Sequence, residues 1–305
     1  MKANPPPLHL IINPAAARGK ARKLFPSIFA LLENHAIAFE HYLTEGPRHA
    51  TEIVRAINGI ATTVIAVGGD GTVNEVINGI DFQKSTFGVI PAGTGDDFAR
   101  ILGIKTPAQA VQALTRRKIK TIDSAQVEFT DENGDSFTHQ FVNTMGIGFD
   151  AVVAHRVRQS GRGNGILPYL AAVFQTLNNY SAVPARIRFD GNEISQKIFL
   201  ATIGNGTTSG GGFILSPCAI LDDGLLDLCL VRDIKKRRVF MVLPKTFKGN
   251  HLSAPEVLYA QAERFEIELD QPLPVHADGE VITTQARKIA VKIHARSLNV
   301  ITNTA

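Results

Sequence analysis

An α/β first half followed by a mainly antiparallel β second half is the fold class this sequence predicts, and three observations predict it. Over residues 1–120, short apolar runs rich in Val and Ile alternate with segments of helical apolar spacing, the pattern of a parallel sheet with helices on both faces. Two glycine-rich turns, Gly68–Thr72 and Gly93–Gly95, follow such runs, where open α/β sheets carry ligand sites. Beyond residue 120, strand-like runs are joined by Asn133-Gly134 and Asp190-Gly191, dipeptides that favour tight hairpins. The boundary is expected near Lys118–Ser124, giving a first domain of 1–122 and a second of 123–305, with room for the last residues to return to the first.

The elements follow in order. "LHLIINP" reads as a buried strand, and "GKARKLFPSIFALLENHA" places Leu24, Ile28, Leu31 and Leu32 at helical spacing. "IAFEHYLT" is a strand, and "PRHATEIVRAING" a helix opened by Pro47 and closed by Gly59. "TTVIAVGG" and "TFGVIPAGT" are strands, followed by helices in "TVNEVINGI" and "DDFARILGI"; "PAQAVQALTRRK" starts a further helix at Pro107. In the second half, "IKTIDSAQVEFT" and "SFTHQFVNTMG" flank the first hairpin, and "ARIRFDGNEISQKIFLATIG" surrounds the second. "GLLDLCLVRD", "ERFEIELDQ", "VHADGEVIT" and "KIAVKIHA" continue as strands, with helical patterns only near 150–178 and 235–249.

Composition narrows the function. With 44% hydrophobic and 20% charged residues among 305, the chain reads as globular rather than disordered. Cys218 and Cys229 lack metal or disulfide spacing, which suits a reducing cytoplasmic setting. The net charge of +4 comes without a dense basic stripe or any Trp, so a nucleic-acid partner is not expected. No apolar run approaches the roughly 20 residues of a spanning helix, so any membrane contact is expected to be peripheral.

Gly68, Gly69 and Gly71 allow close backbone approach to a ligand, and a helix starting at Thr72 offers N–H groups to an anion. A plain strand-to-helix turn is the competing reading. The known nucleotide loops do not fit: "PAAARGKA" keeps Gly19-Lys20 but lacks the first Gly and final Ser/Thr of a Walker loop, and no intact G-x-G-x-x-G occurs.

"GGDGTVNEVING" followed by "PAGTGDDFAR" resembles the catalytic domain of the diacylglycerol kinase and sphingosine kinase superfamily, most closely its bacterial soluble lipid kinases. The resemblance covers nearly the whole chain: "INP" from Ile11, Thr44 in "YLTEGPRHA", "MGIGFDAVV", "IGNGTTSGGGF", "PCAILDDGLLDLCLV", "FKGNH" and "ADGE" match its motifs in order. It implies a phosphofructokinase- and NAD-kinase-like α/β domain and a β-sandwich domain. It also implies an enzyme that uses ATP and Mg²⁺ to phosphorylate the hydroxyl of a membrane lipid such as diacylglycerol.

The same resemblance implies roles. Gly68, Gly69, Asp70, Gly71, Thr72, Asn74 and Glu75 would form the phosphate wall, with Thr94, Thr44 and Asn13 also at the nucleotide. An acid such as Asp70 beside the phosphates would act through Mg²⁺ or its waters. Asp97 would join this network, unless it is only an acid complementing a helix N-terminus. Asp223, with the carbonyls of Ile220 and Leu225, would hold a structural Mg²⁺; a tight Asp-Gly turn is the alternative. The general base would be Asp278, with Glu280 next in rank. The two share a face if the segment is a regular strand, and do not if Gly279 makes a turn.

Two departures stand out. Ala16 and Ala17 occupy places that the family usually gives to Ser and Gly, and Asp96 replaces the Asn of "NDFAR". They favour a second reading, a lipid- or nucleotide-binding regulator without turnover, which ranks lower because both acids of the DGE segment are present. An NAD kinase shares the GGDG loop, but "GTGDDFAR", "DDGLLD" and "ADGE" speak against it. Lys235-Lys236-Arg237-Arg238 suits contact with anionic lipid or a solvated helix start. The segment 165–178 suits core packing better than a lipid pocket.

Overall fold

The computed structural model describes residues 6–60, 63–131, 133–160 and 166–304, with the side chains of 158–160 and 166–169 left aside. In chain order the elements are β1 (Leu8–Ile12), a 3-10 segment (Ala16–Lys23), α1 (Phe25–Asn34), β2 (Phe39–Leu43), α2 (His49–Ile57), β3 (Thr63–Gly68), α3 (Asp70–Ile77), β4 (Thr86–Pro91), α4 (Asp97–Ile101) and α5 (Pro107–Arg116). There follow β5 (Ile119–Asp131), β6 (Ser136–Phe141), β7 (Thr144–Gly148), α6 (Phe149–Ser160), α7 (Ile166–Asn179), β8 (Val183–Phe189) and β9 (Asn192–Gly204). The remainder are β10 (Thr208–Ser209), β11 (Phe213–Ile214), β12 (Leu226–Arg232), α8 (Lys236–Thr246), a 3-10 turn (Asn250–Ser253), β13 (Val257–Ala262), β14 (Arg264–Ala277) and β15 (Glu280–Ile301). The chain divides into two compact units: Met1–Ile122 with Arg296–Ala305, and Asp123–Ala295.

In the first unit β1 to β4 pair in parallel in the order β2-β1-β3-β4. The end of β15 adds a fifth parallel strand, with Asn299 beside Thr86 and Val300 beside Phe87. Every residue of β1 is buried, as expected for a parallel strand covered on both sides. Ile11, Ile65, Phe87, Ile90 and Phe98 are nearly inaccessible to solvent, and each such side chain contributes about 1.5–3 kcal/mol relative to exposure. The chain leaves β1 to one side for β2 and to the other for β3, a topological switch point that opens a crevice at the strand carboxyl ends.

The first helix starts later than its apolar spacing suggests. Pro26 stands in the first turn of α1, where proline is tolerated, whereas it breaks a helix interior. The residues before it form the 3-10 segment, in which Ala17, Arg18 and Gly19 all have positive φ.

In the second unit the strands pair antiparallel: β5 with β6, β7 with β9 and β14, β8 with β9 and β14, and β12 with β9 and β13. Their inward residues, among them Phe141, Ile147, Ile203, Leu228, Phe265 and Val291, form one core. A second core gathers Phe149, Val153, Val173, Leu177, Phe199, Val239 and Val242 beneath α6, α7 and α8. The stretch 165–178 therefore supplies core residues through Val173 and Leu177; Gly165 lies outside the described residues. The run 136–146 forms two strands instead of one, with a bend at Val142 and Asn143.

Candidate functional site

The candidate residues of the first unit converge at the carboxyl ends of its strands. Ile12 is in register with Leu43 and with Val67, so Thr44, Asn13 and Gly68 stand side by side. Backbone bonds from Thr44 N to Ile12 O (2.9 Å) and Asn13 N to Val67 O (3.0 Å) extend that alignment. Asn13 Nδ2 donates to Thr72 Oγ1 at 3.1 Å, which ties the turn after β1 to the start of α3.

The glycines act differently from the simple expectation of backbone left open to a ligand. A Cβ on Gly68 would strike Thr72 Oγ1 and lie 2.7 Å from Thr72 Cβ, and a Cβ on Gly93 would lie 2.5 Å from Gly69 Cα. Gly69 has φ −102°, outside the left-handed region. These glycines let the two turns press against each other. The exposed Thr94 sits in the second of them.

Asp70 belongs to the same packing. It opens α3, and its Oδ1 accepts the backbone N–H of Phe98 at 3.3 Å, close to the start of α4. Asp96 at the preceding cap position has φ +52°, a conformation that Asn and Asp tolerate better than most residues. Its Oδ1 accepts the Gly93 N–H at 3.1 Å. Asp97 is buried and bonded to Arg100 at 3.1 Å, so the helix-terminal reading describes its geometry. Burial, then the charge of Asp97, pushes the Asp70 carboxyl up to about 7.

This shift has a testable sign. Between the ordinary carboxylate range near pH 4 and about pH 7, the folded state holds a proton that the unfolded chain has lost, so this group's contribution to stability falls as pH rises. Unfolding free energy measured by denaturant titration is expected to carry that downward component across pH 4–7. Asp70→Asn is expected to remove it.

Glu75 departs from the expected phosphate wall. Its Oε1 accepts from Arg48 N at 2.9 Å and its Oε2 from Ala50 N at 3.1 Å. Helix α2 has no side-chain cap of its own, and its orphan N–H groups need an acceptor; Glu75 supplies it. Asn74 is buried within α3.

A cavity of about 380 Å³ adjoins the paired turns, lined by residues that include Ala17, Lys20, Lys23, Gly93, Asp96 and Lys105. Its volume falls within the range of small-molecule sites. The three lysines were not singled out as site residues from the sequence: Lys20 was visible only as part of an incomplete Walker pattern, and Lys105 lies in a helix-to-helix connection. Ala17 has φ +48°, a left-handed position that suits Gly and costs Ala about 1 kcal/mol.

In the second unit "HADGE" is a hairpin, not a regular strand. Ala277 pairs with Glu280, and Asp278 and Gly279 between them have φ +50° and +84°. The two acids therefore do not share a face by strand alternation. Asp278 is buried. Its Oδ1 accepts from Asn143 N (2.9 Å) and Thr144 N (3.1 Å), and its Oδ2 from Val142 N (3.2 Å). The bend between β6 and β7 is held by this carboxylate. Beside it, His276 Nε2 lies 3.2 Å from Asp150 Oδ2, both buried. A Cβ on Gly146 would strike both of these groups. Sequence reading missed this pair because its members are 126 residues apart.

The Asp223 turn is held from outside by Asp123, whose Oδ2 accepts the Gly224 N–H at 2.7 Å. Asp223 Oδ1 accepts the Leu225 N–H at 3.0 Å, and Gly224 has φ +76°. This is a tight Asp-Gly turn. Ile220, Asp223 and Leu225 present only oxygen donors, and Asp223 and Ile220 are exposed, which fits a hard ion that keeps several waters. Among the described residues no three His, Cys, Asp or Glu side chains gather to hold a metal by themselves.

Comparison with known proteins places these features. Residues 7–127 match the diacylglycerol kinase catalytic domain, and residues 143–302 match the YegS C-terminal NAD kinase beta sandwich-like domain. A Chromohalobacter salexigens protein named "Probable lipid kinase YegS-like" is 32% identical over 246 residues, covering 77% of this chain and 74% of that one. A diacylglycerol kinase of Mycobacterium tuberculosis is 29% identical over 274 residues, covering 88% and 87%. The crystal structure of a diacylglycerol kinase from Bacillus anthracis superposes with a TM-score of 0.76 at 25% identity, covering 97% of each chain. With an α/β unit of parallel strands joined to an antiparallel β-rich unit, and with the two domain matches together spanning most of the chain, this chain belongs to the diacylglycerol kinase and YegS-like family of lipid kinases, which are phosphotransferases.

Proposed function

We propose that this lipid kinase transfers the γ-phosphoryl group of ATP to the hydroxyl of a membrane lipid such as diacylglycerol, with Mg²⁺, while in peripheral contact with the membrane. The observation that carries the reading is the pair of glycine turns packed together at the switch point, beside a cavity lined by Lys20, Lys23 and Lys105. In the first unit, backbone N–H groups at the start of α3 and the side chains of Asn13, Thr44, Thr72 and Thr94 receive the nucleotide. The three lysines supply the cationic charge that the glycine loop lacks. Glu75 and Asp70 hold the helices whose ends shape this surface, and Asp97 orders Arg100.

In the second unit Asp278 takes the proton of the lipid hydroxyl, with Glu280 beside it in the hairpin. Three backbone donors fix the orientation of Asp278 and keep it in its charged form, so it meets the hydroxyl as an oriented carboxylate. Mg²⁺, when bound, neutralises charge on the phosphates. A second ion would be held by Asp223 with the carbonyls of Ile220 and Leu225.

Labelled ATP supplied with vesicles containing a panel of hydroxyl lipids is expected to give phosphorylated lipid, identified by mass spectrometry. Conversion of NAD to NADP without lipid product would replace the reading with an NAD kinase. Nucleotide or lipid binding without any product would favour the regulator. Lys20→Ala combined with Lys105→Ala is expected to raise the ATP KM roughly tenfold, the loss of about 1.4 kcal/mol of charge-assisted binding. Turnover at saturating ATP should stay within about twofold.

A further inference from the structure

A group of the exposed apolar side chains of this protein is gathered in one place. Among the described residues ten large hydrophobic side chains are exposed, and four of them, Phe174 (54%), Phe240 (42%), Met241 (60%) and Phe247 (42%), belong to α7 and to α8 with its C-terminal end. The Phe174 and Phe240 rings stack at 5.0 Å, and Phe247 packs on Phe213 at 4.5 Å. Helix α8 turns Val239, Val242 and Thr246 inward. Its outer face runs through Arg237, Phe240, Met241 and Pro244, all exposed. Lys236 donates from Nζ to Asn178 O at 2.7 Å, which ties α8 to the end of α7.

The charge along this helix is predominantly positive, with Asp233 and Glu256 only at its flanks. From Ile234 to Pro255 there are six Lys and Arg residues and no Asp or Glu, more positive charge than the net +4 of the entire chain. Arg238 is engaged by Glu256 in a paired contact at 2.7 and 2.9 Å. Lys235, Lys236, Arg237, Lys245 and Lys248 are exposed. A helix lying on a bilayer needs this combination: apolar side chains that enter the interface and cations that meet anionic headgroups.

We propose that the outer face of α8, with Phe174 of α7, is the surface by which the protein docks on an anionic membrane. Phe240, Met241 and Phe174 insert at the headgroup level, and Lys235, Arg237, Lys245 and Lys248 contact lipid phosphates. The inference rests on the lipid-kinase reading only for why a membrane is the partner. Charge complementarity selects an anionic bilayer over a neutral one.

The test is flotation of the full chain, without nucleotide, on vesicles of phosphatidylcholine with and without phosphatidylglycerol. Binding is expected to be at least about tenfold stronger with phosphatidylglycerol and to weaken in about 0.5 M salt. Phe240→Ser with Met241→Ser, and separately Lys235→Glu with Arg237→Glu, are each expected to reduce binding about tenfold or more. Both variants should keep the parental unfolding midpoint and parental activity on short-chain lipid dispersed as monomers. Unchanged flotation of both variants overturns the proposal. So does a parental dimer, seen by analytical ultracentrifugation, that the variants lose while vesicle binding is absent. Vesicle binding that persists without any lipid phosphorylation would leave the docking face standing and remove the kinase reading.

Discussion

Asp278→Asn is expected to lower lipid phosphorylation by about a hundredfold or more and to lower the unfolding midpoint as well. The first effect follows from removing the proton acceptor. The second follows from the three backbone donors of Val142, Asn143 and Thr144. An amide retains one oxygen and turns an N–H₂ toward a donor, leaving at least one buried N–H unsatisfied at about 1–3 kcal/mol. Thermal unfolding followed by circular dichroism measures the structural part, and initial rates well below the new midpoint measure the chemical part. Glu280→Gln separates the two, because it leaves the anchor intact. Turnover within twofold of the parent for folded Asp278→Asn would take Asp278 out of the reaction and leave it as an anchor alone.

Gly93→Ala is expected to be as damaging from the other unit. The new Cβ meets the Gly69 backbone at 2.5 Å and Asp96 Oδ1 at 2.6 Å. A side chain could rotate away, but a backbone atom relieves the contact only by moving its turn. Overpacking of this kind costs about 1–3 kcal/mol, and a displacement of about 1 Å at a positioning loop is enough to cost about a hundredfold in rate. The expected result is a loss of turnover with a moderate fall in midpoint. Gly134→Ala is a useful contrast: that glycine, unlike Gly93, has a positive φ (+89°), and no atom lies within 4 Å of its Cβ position. It should lose stability through backbone strain while keeping parental kinetics.

The α/β alternation, the hairpins at Asn133-Gly134 and Asp190-Gly191, and the placement of the glycine turns at strand ends were legible because they depend on local signals. Residue period, turn dipeptides and helix punctuation are each written within a few positions. The finer features are long-range. Glu75 reads in sequence as a helix acid near the phosphate loop, and only the fold brings it to the uncapped start of α2, 27 residues earlier in the chain at Arg48. The break between β6 and β7 has no proline or glycine at Val142 and Asn143 to announce it. Its cause is a carboxylate 135 residues away from Asn143. The lysines of the cavity come from two separate connections, so no motif contains them. The late start of α1 was readable at Pro26 and is the one local signal that the apolar spacing obscured.

The strand β15 gives the chain an unusual assembly order. The fifth strand of the parallel sheet is made from residues near 300, although its neighbour β4 ends at Pro91. Sequence-distant pairing of this kind slows folding, because closing the intervening chain is entropically costly before the contacts form. During synthesis the first unit emerges from the ribosome with β4 lacking this neighbour, and that edge can template pairing with another chain. Nascent chains stopped before Arg296 should therefore be more prone to aggregate than the finished protein, and the last strand closes a sheet that was begun nearly 300 residues earlier.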